Sequence, residues 1–245
     1  MFVHAGKGSG RRRSSDYDPE TALDRLLRSR GTDGVVIGQL GQSLDGRIAT
    51  PTGASKYING HEALCHLHRI RANVDAVIVG VGTAVADDPQ LTTRHVEGAN
   101  PVRVVIDPAG RMPRDLAMLR DGAAPVLVVT TADRPVPEGA EAVRLACDGE
   151  GRIHPGRIVA VLRQRGLGRL LVEGGAETLA RFIDAGELDE LHLMVAPIVL
   201  GSGKTGLNLN PIAGLDQALR PLVRTMRFKD GDMLCMCDMR RPIAA

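Results

Sequence analysis

The 245-residue chain carries 43% hydrophobic and 24% charged side chains, which supplies a sizeable core and excludes a chain too polar to fold. A formal net charge of +2 with only 2% aromatic residues leaves little material for a basic, base-stacking surface, so nucleic acid is excluded as the expected partner. No apolar run approaches the ~20 residues that span a bilayer, and the four cysteines (Cys65, Cys147, Cys235, Cys237) include no C-x-x-C pair, so a cytoplasmic protein with free thiols and no membrane partner is expected.

Residues 1–18 are rich in Gly, Ser and Arg and are expected to form a flexible tail. Asp18-Pro19-Glu20 then supplies a cap, a first-turn proline and an acid for a short helical appendage over 19–31. Its apolar face would be Leu23, Leu26 and Leu27, and Gly31 would end it. One domain should fill 34–245. Its strands are read in GVVIGQL, DAVIVGV, VRVVID, PVLVVTT, RLLVE and LHLMVAPIV, short apolar runs of the kind buried on both faces. Asn59 to Asn73 opens with an N-x-x-E cap (Asn59, Glu62) and places Ala63, Leu67, Ile70 and Val74 on one stripe, which predicts a helix over the sheet. Further helices are expected at Pro155 to Gln164 and at Ala176 to Ala185, the second closed by Gly186. Two strand-like runs between Leu222 and Met239 flank Asp230-Gly231, a hairpin signal. The fold class is therefore α/β, a three-layer, doubly wound, mostly parallel sheet with a C-terminal antiparallel hairpin.

Ligands of such sheets collect beyond the carboxyl ends of the strands. SLDGRIAT follows the first strand, and Asp45-Gly46 reads there as a turn. GVGTAVADDP is read as a loop whose Gly80 and Gly82 allow close backbone approach, with Thr83, Asp87 and Asp88 as polar groups at the mouth. GGAETL, after RLLVE, outlines a phosphate cradle ahead of a helix, or a packing turn of the same shape. Arg71 and Arg94 are either a phosphate-gripping pair or surface cations. His66 and His68, two residues apart on a helix, point away from each other, so no metal site is expected.

Together the strings SLDGRIAT, Ser55-x-Tyr57, Arg71, VGVGTAVADDPQLTTR, VRVVIDPAGRMP, LLVEGGAETL and LDELHLMVAPIVLG resemble the reductase domain of the riboflavin deaminase/reductase family. The likeness runs from Gly34 to about Arg240. It implies a dihydrofolate-reductase-like fold, a homodimer, and NADPH-dependent reduction of a small phosphorylated substrate, a ribosylaminopyrimidine 5′-phosphate, to its ribitylamino form. By the same resemblance, Gly41, Tyr57, Thr83, Asp107, Gly174, Gly175, Ala176 and Thr178 would contact NADPH. A basic residue near the adenosine end of the cofactor would favour NADPH over NADH, and Arg134 after TTAD is the candidate. Gln39, Ser55, Arg71, Asp87, Leu91 and Arg94 would form the substrate pocket. Arg71 and Arg94 would hold the phosphate, Asp87 would accept from ribose hydroxyls, and Glu173 would orient the substrate or move a proton. The sequence departs from the family at Gln39, where a lysine is usual, and an amide supplies neither charge nor an acidic proton. That departure keeps open a pterin-like or other small substrate, and a nucleotide-binding protein of weak turnover. No H-x-E with P-C-x-x-C deaminase motif stands in the sequence.

Overall fold

Alternating apolar residues in the central strands present two hydrophobic faces, and each face needs a helical layer. The structure, a computed structural model, describes residues 15–29, 31, 34–56, 58–131 and 133–242. In chain order its elements are β1 (Ser15–Asp16), α1 (Pro19–Ala22), α2 (Asp24–Arg28), β2 (Val35–Ser43), β3 (Arg47–Ala49), α3 (His61–Arg71), β4 (Ala76–Gly80), α4 (Val81–Asp87), β5 (Val102–Ile106), α5 (Ala117–Arg120), β6 (Val126–Thr130) and β7 (Glu141–Arg144). They continue with α6 (Pro155–Gln164), β8 (Arg169–Glu173), α7 (Ala176–Asp184), β9 (Glu190–Ala196), β10 (Lys204–Thr205), a 3-10 turn (Leu215–Gln217), β11 (Pro221–Arg227) and β12 (Met233–Pro242).

Ten strands form one sheet in the order β1-β11-β12-β9-β2-β8-β4-β5-β6-β7, while β3 and β10 pair separately. From β9 to β7 every neighbouring pair is parallel. β12 joins β9 and β11 antiparallel, as the hairpin signal foretold. On one face Ile78, Val104, Val129 and Val172 pack against α6 and α7 through Ile158, Leu162, Leu179 and Phe182. On the other, Val77, Val105, Val128 and Leu171 pack with Ile70 of α3 and with Leu23 and Leu26. The three-layer, doubly wound architecture read from the sequence is therefore the one observed.

Several boundaries differ. Residues 15–18, read as tail, belong to the fold: β1 pairs with β11, and Asp18 caps α1 by accepting from the Thr21 N–H at 3.0 Å. Residues 1–14 lie outside the described residues. The appendage is two helices interrupted at Leu23, and Leu27 is exposed rather than packed. It is tied down by a buried line of polar groups. The Tyr17 hydroxyl meets His66 Nδ1 at 2.8 Å, His66 Nε2 meets His192 Nδ1 at 2.9 Å, and His192 Nε2 meets Glu190 Oε1 at 2.6 Å. Arg25 closes the line on Glu190 and Asp238. Burial holds His66 neutral, its pKa well below the usual imidazole range.

LHLMVAPIV stops pairing at Ala196, because Pro197 has no N–H for the ladder. GVGTAVADDP is not a loop: from Val81 it is α4, which ends at Asp88 in the left-handed conformation (φ 39°). The expected Asn59 cap is also corrected. α3 starts at His61 behind Gly60 with no side-chain cap of its own, and the hairpin supplies the carboxylates instead. Asp230 Oδ2 accepts from the Glu62 N–H at 2.9 Å and Asp232 Oδ2 from the Gly60 N–H at 2.8 Å, so the positive end of α3 is satisfied from across the sheet.

Candidate functional site

β8 lies between β2 and β4, although it follows both in sequence, and this insertion opens a crevice at the carboxyl ends of the three strands. A cleft of about 700 Å³ fills it, a size suited to a small ligand with part of a cofactor.

Two glycine turns form the back of the cleft. Gly174 and Gly175 both take positive φ (65° and 64°), a conformation that glycine adopts without steric cost, and Gly175 is the N-cap residue of α7. A Cβ on Gly175 would sit 2.7 Å from Thr83 Oγ1, and one on Gly80 would overlap Thr178 Oγ1. Thr83, Thr178 and the Gly174–Gly175 turn are thus packed at one point, with the start of α7 turned toward them. The unpaired N–H groups and positive end of α7 suit a phosphate, and bare glycine backbone lets it come close.

A flap walls the other side. β3 and β10 pair antiparallel with Lys204 opposite Ala49, bringing Ile48, Ala49 and Lys204 to the cleft, with Lys56 beside it. Asp45 pins the flap to the chain beyond β9: its carboxylate accepts from Ser43 Oγ (2.6 Å), the Leu200 N–H (3.0 Å) and the Gly201 N–H (2.7 Å). These bonds, that from Ser43 first, lower its pKa to about 2. Asp45-Gly46 is therefore a turn, as read, but one whose carboxylate anchors a second segment.

The carboxylates of the cleft are Asp87, exposed at the end of α4, and Glu173, at the end of β8. Arg71 is where the structure changes the assignment most. It is not a free phosphate ligand: its side chain is buried and grips Glu173 in a bidentate pair, Nε donating to Oε2 at 2.8 Å and Nη2 to Oε1. Its remaining Nη1 donates to the Thr92 carbonyl at 2.9 Å. Arg94 is the exposed guanidinium of the two, held by Gln90 and Thr92 near the Arg71–Glu173 pair. Its backbone N–H donates to His68 Nδ1 at 3.0 Å, which keeps His68 in the neutral form, and burial first and the Arg71 charge second lower the His68 pKa to about 3.

Of the residues expected from the sequence, Gln39, Gly41 and Ser55 line the cleft, together with Thr83, Asp87, Glu173, Gly174 and Gly175. Thr178 and Ala176 stand behind the glycine turn. Leu91 is a buried core residue with φ 56°, and neither it nor Arg94 lines the cleft. Asp107 is buried at the end of β5, one oxygen accepting from the Met112 N–H at 2.7 Å and the other unpaired among the described residues, and it does not reach the cleft. Arg134 lies against Gly110, beyond the β5 and β6 ends. Tyr57 lies outside the described residues. Sequence reasoning missed Asn59, taken for a helix cap, and Lys204, whose only signal was the glycine-flanked GSGKTG after the last parallel strand.

Comparisons with known proteins agree with this geometry. The profile of the RibD C-terminal domain matches residues 35–227. The chain is 35% identical over 187 residues to the 2,5-diamino-6-ribosylamino-4(3H)-pyrimidinone 5′-phosphate reductase of Methanothermobacter thermautotrophicus, covering 74% of this chain and 86% of that one. It is 38% identical over 167 residues to the riboflavin biosynthesis protein RibD of Bacillus amyloliquefaciens, covering 65% of this chain and 44% of that protein. Among solved structures, the deaminase/reductase of Thermotoga maritima superposes with a TM-score of 0.76 at 27% identity, over 89% of this chain and 62% of that one. The chain thus spans 44% of the Bacillus RibD, 62% of the Thermotoga deaminase/reductase and 86% of the Methanothermobacter reductase.

Proposed function

Since the chain belongs to the RibD C-terminal domain family, a reductase family of riboflavin biosynthesis, we propose that it reduces a ribosylaminopyrimidine 5′-phosphate to the ribitylamino form, with NADPH as the cofactor. The observation that carries this reading is the juxtaposition of the Gly174–Gly175 turn with a Glu173 carboxylate clamped by Arg71. NADPH supplies the reducing equivalent at the sugar C1. The cradle at Gly175, which a Cβ would fill, and the start of α7 would hold its pyrophosphate. Glu173, held in one orientation by Arg71, would accept hydrogen bonds from the sugar as C1 is reduced. Asp87 would accept from ribose hydroxyls, and Arg94, rather than Arg71 with its bonds to Glu173, is the guanidinium open to the phosphate.

We further infer a cytoplasmic homodimer. Beyond α7, no helix among the described residues covers the sheet face carrying Val223, Met233, Cys235 and Leu193, and Val223 and Met233 are exposed, which suits the same face of a second copy.

Turnover tests the reading. Purified protein should oxidise NADPH only when a ribosylaminopyrimidine 5′-phosphate is present and release the ribityl product. Glu173→Gln should keep NADPH affinity while turnover falls by about 10²-fold. The neutral Gln39, nearly buried in the cleft wall, favours a pterin-like or other small imine substrate as the second reading. Oxidation of NADPH with a dihydropterin alone would select it, and binding without any turnover would reject both.

A further inference from the structure

Asn59 is held in a way that a structural tie alone does not need. Its Nδ2 donates to Asp232 Oδ2 at 3.0 Å and lies 3.3 Å from the Met194 carbonyl. With two acceptors around one end of the amide, the orientation follows: the nitrogen faces Asp232 and the carbonyl oxygen faces away. Asp232 is itself buried and bonded to the Gly60 N–H, so it cannot swing off. Oδ1 comes to rest against Gly41 of β2, so close that any Cβ there would overlap it. Among the described residues nothing donates to this oxygen, and Asn59 lines the cleft.

The position is informative. Gly41 follows Gln39 by two residues and shares its face, and Gln39 is in register with Glu173 on β8. Asn59 Oδ1 thus offers an acceptor on this wall, with neutral Gln39 two residues back along β2 and Glu173, clamped by Arg71, in register with Gln39. A wall of this kind recognises a ligand that brings N–H donors.

Resting on the reductase reading above, we propose that Asn59 Oδ1 is a ligand-binding acceptor that receives a hydrogen bond from an amide or amino N–H of a molecule held over Gly41. Gly41 lacks a side chain because a methyl would evict that oxygen. Two molecules in the proposed reaction carry such a donor: the carboxamide of the reduced nicotinamide and the 2-amino group of a diaminopyrimidinone.

The test measures binding and kcat/KM for wild type, Asn59→Ser, Gly41→Ala and the double variant. Ligands are NADPH, its reduced 3-acetylpyridine analogue without the amide N–H, the 2-aminopyrimidine substrate and the corresponding uracil. Asn59→Ser should weaken one ligand about five- to tenfold, the worth of one hydrogen bond, and leave unchanged the analogue that lacks the carboxamide or 2-amino donor in question. Loss confined to NADPH identifies the carboxamide; loss confined to the aminopyrimidine identifies the substrate. Gly41→Ala should reproduce the loss, and the double variant should be no worse than Asn59→Ser, because serine leaves room for the methyl. Equal loss on all four ligands, or none, overturns the proposal, and unfolding of either variant is read separately from its melting curve. Wild type that takes up neither coenzyme sinks the reductase reading itself; wild type that turns over while Asn59→Ser matches it sinks only this inference.

Discussion

Arg71 shows how a residue can be placed by its motif and yet have its task decided by its partners. On the sequence it was one of two cations suited to a phosphate; in the fold it is fully engaged by Glu173 and Thr92. Arg71→Gln should therefore act through Glu173. It leaves a nearly buried carboxylate unpaired, at a cost of about 3–5 kcal/mol to stability, and kcat should fall about tenfold or more. Arg71→Lys should not restore kcat, since an ammonium cannot make the bidentate pair. The readout that separates the roles is the ratio of KM for phosphorylated and dephosphorylated substrate: it stays constant if Arg71 positions Glu173 and collapses if Arg71 grips phosphate. His68 gives a pH signature. Its folded pKa, about 3, lies below the ordinary 6.5, so the unfolded chain binds the proton first. The His68 contribution is complete above pH ~6.5 and is lost as pH falls toward ~3. His68→Asn, which keeps an acceptor for the Arg94 N–H, should flatten the stability profile across that window; an unchanged slope would exonerate His68.

At the level of elements, what could be read ahead was whatever local chemistry controls. α6 was legible from its proline start and α7 from the glycine that closes it, each with an apolar stripe, and β4 to β6 because their side chains are buried on both faces. α4 was hidden by its glycines, and β7 by a sequence, EAVR, whose only apolar anchor in the core is Val143. The cap of α3 was not legible at all, since its carboxylates come from a hairpin about 170 residues away. Gly38 on β2 shows how tightly the layers meet: a Cβ there would lie 2.6 Å from Leu179 of α7 and 2.7 Å from Leu188, both buried. Gly38→Ala should cost about 1–3 kcal/mol and lower the melting temperature by several degrees. Gly82→Ala, within α4 and with open space around it, should instead hold or raise stability by up to about 1 kcal/mol. If both substitutions are neutral, the packing of α7 on β2 is looser than described.

For the molecule as a whole, the order of strands makes the site: inserting β8 between β2 and β4 gathers Gln39, Thr83 and the Glu173–Gly174–Gly175 turn from three distant stretches. The sequence motifs named these residues, but only the folded chain separates Arg71 and Asp107, which are buried in their own networks, from the groups that face the cleft. The face of β9, β12 and β11 that no helix among the described residues covers is the other whole-molecule feature. Val223→Lys should convert a dimer into monomer in sedimentation while leaving the fold intact, and a wild-type monomer at ~100 μM would remove the interface. The account depends most on the glycine turn holding a nicotinamide dinucleotide, and calorimetric titration of the full chain with NADPH measures that directly. Saturable 1:1 binding with Kd below about 1 mM, abolished by Gly175→Val in a protein that still folds, is the predicted result; a folded wild-type chain that takes up no NADPH, or a Gly175→Val variant that binds it equally well, would contradict the account.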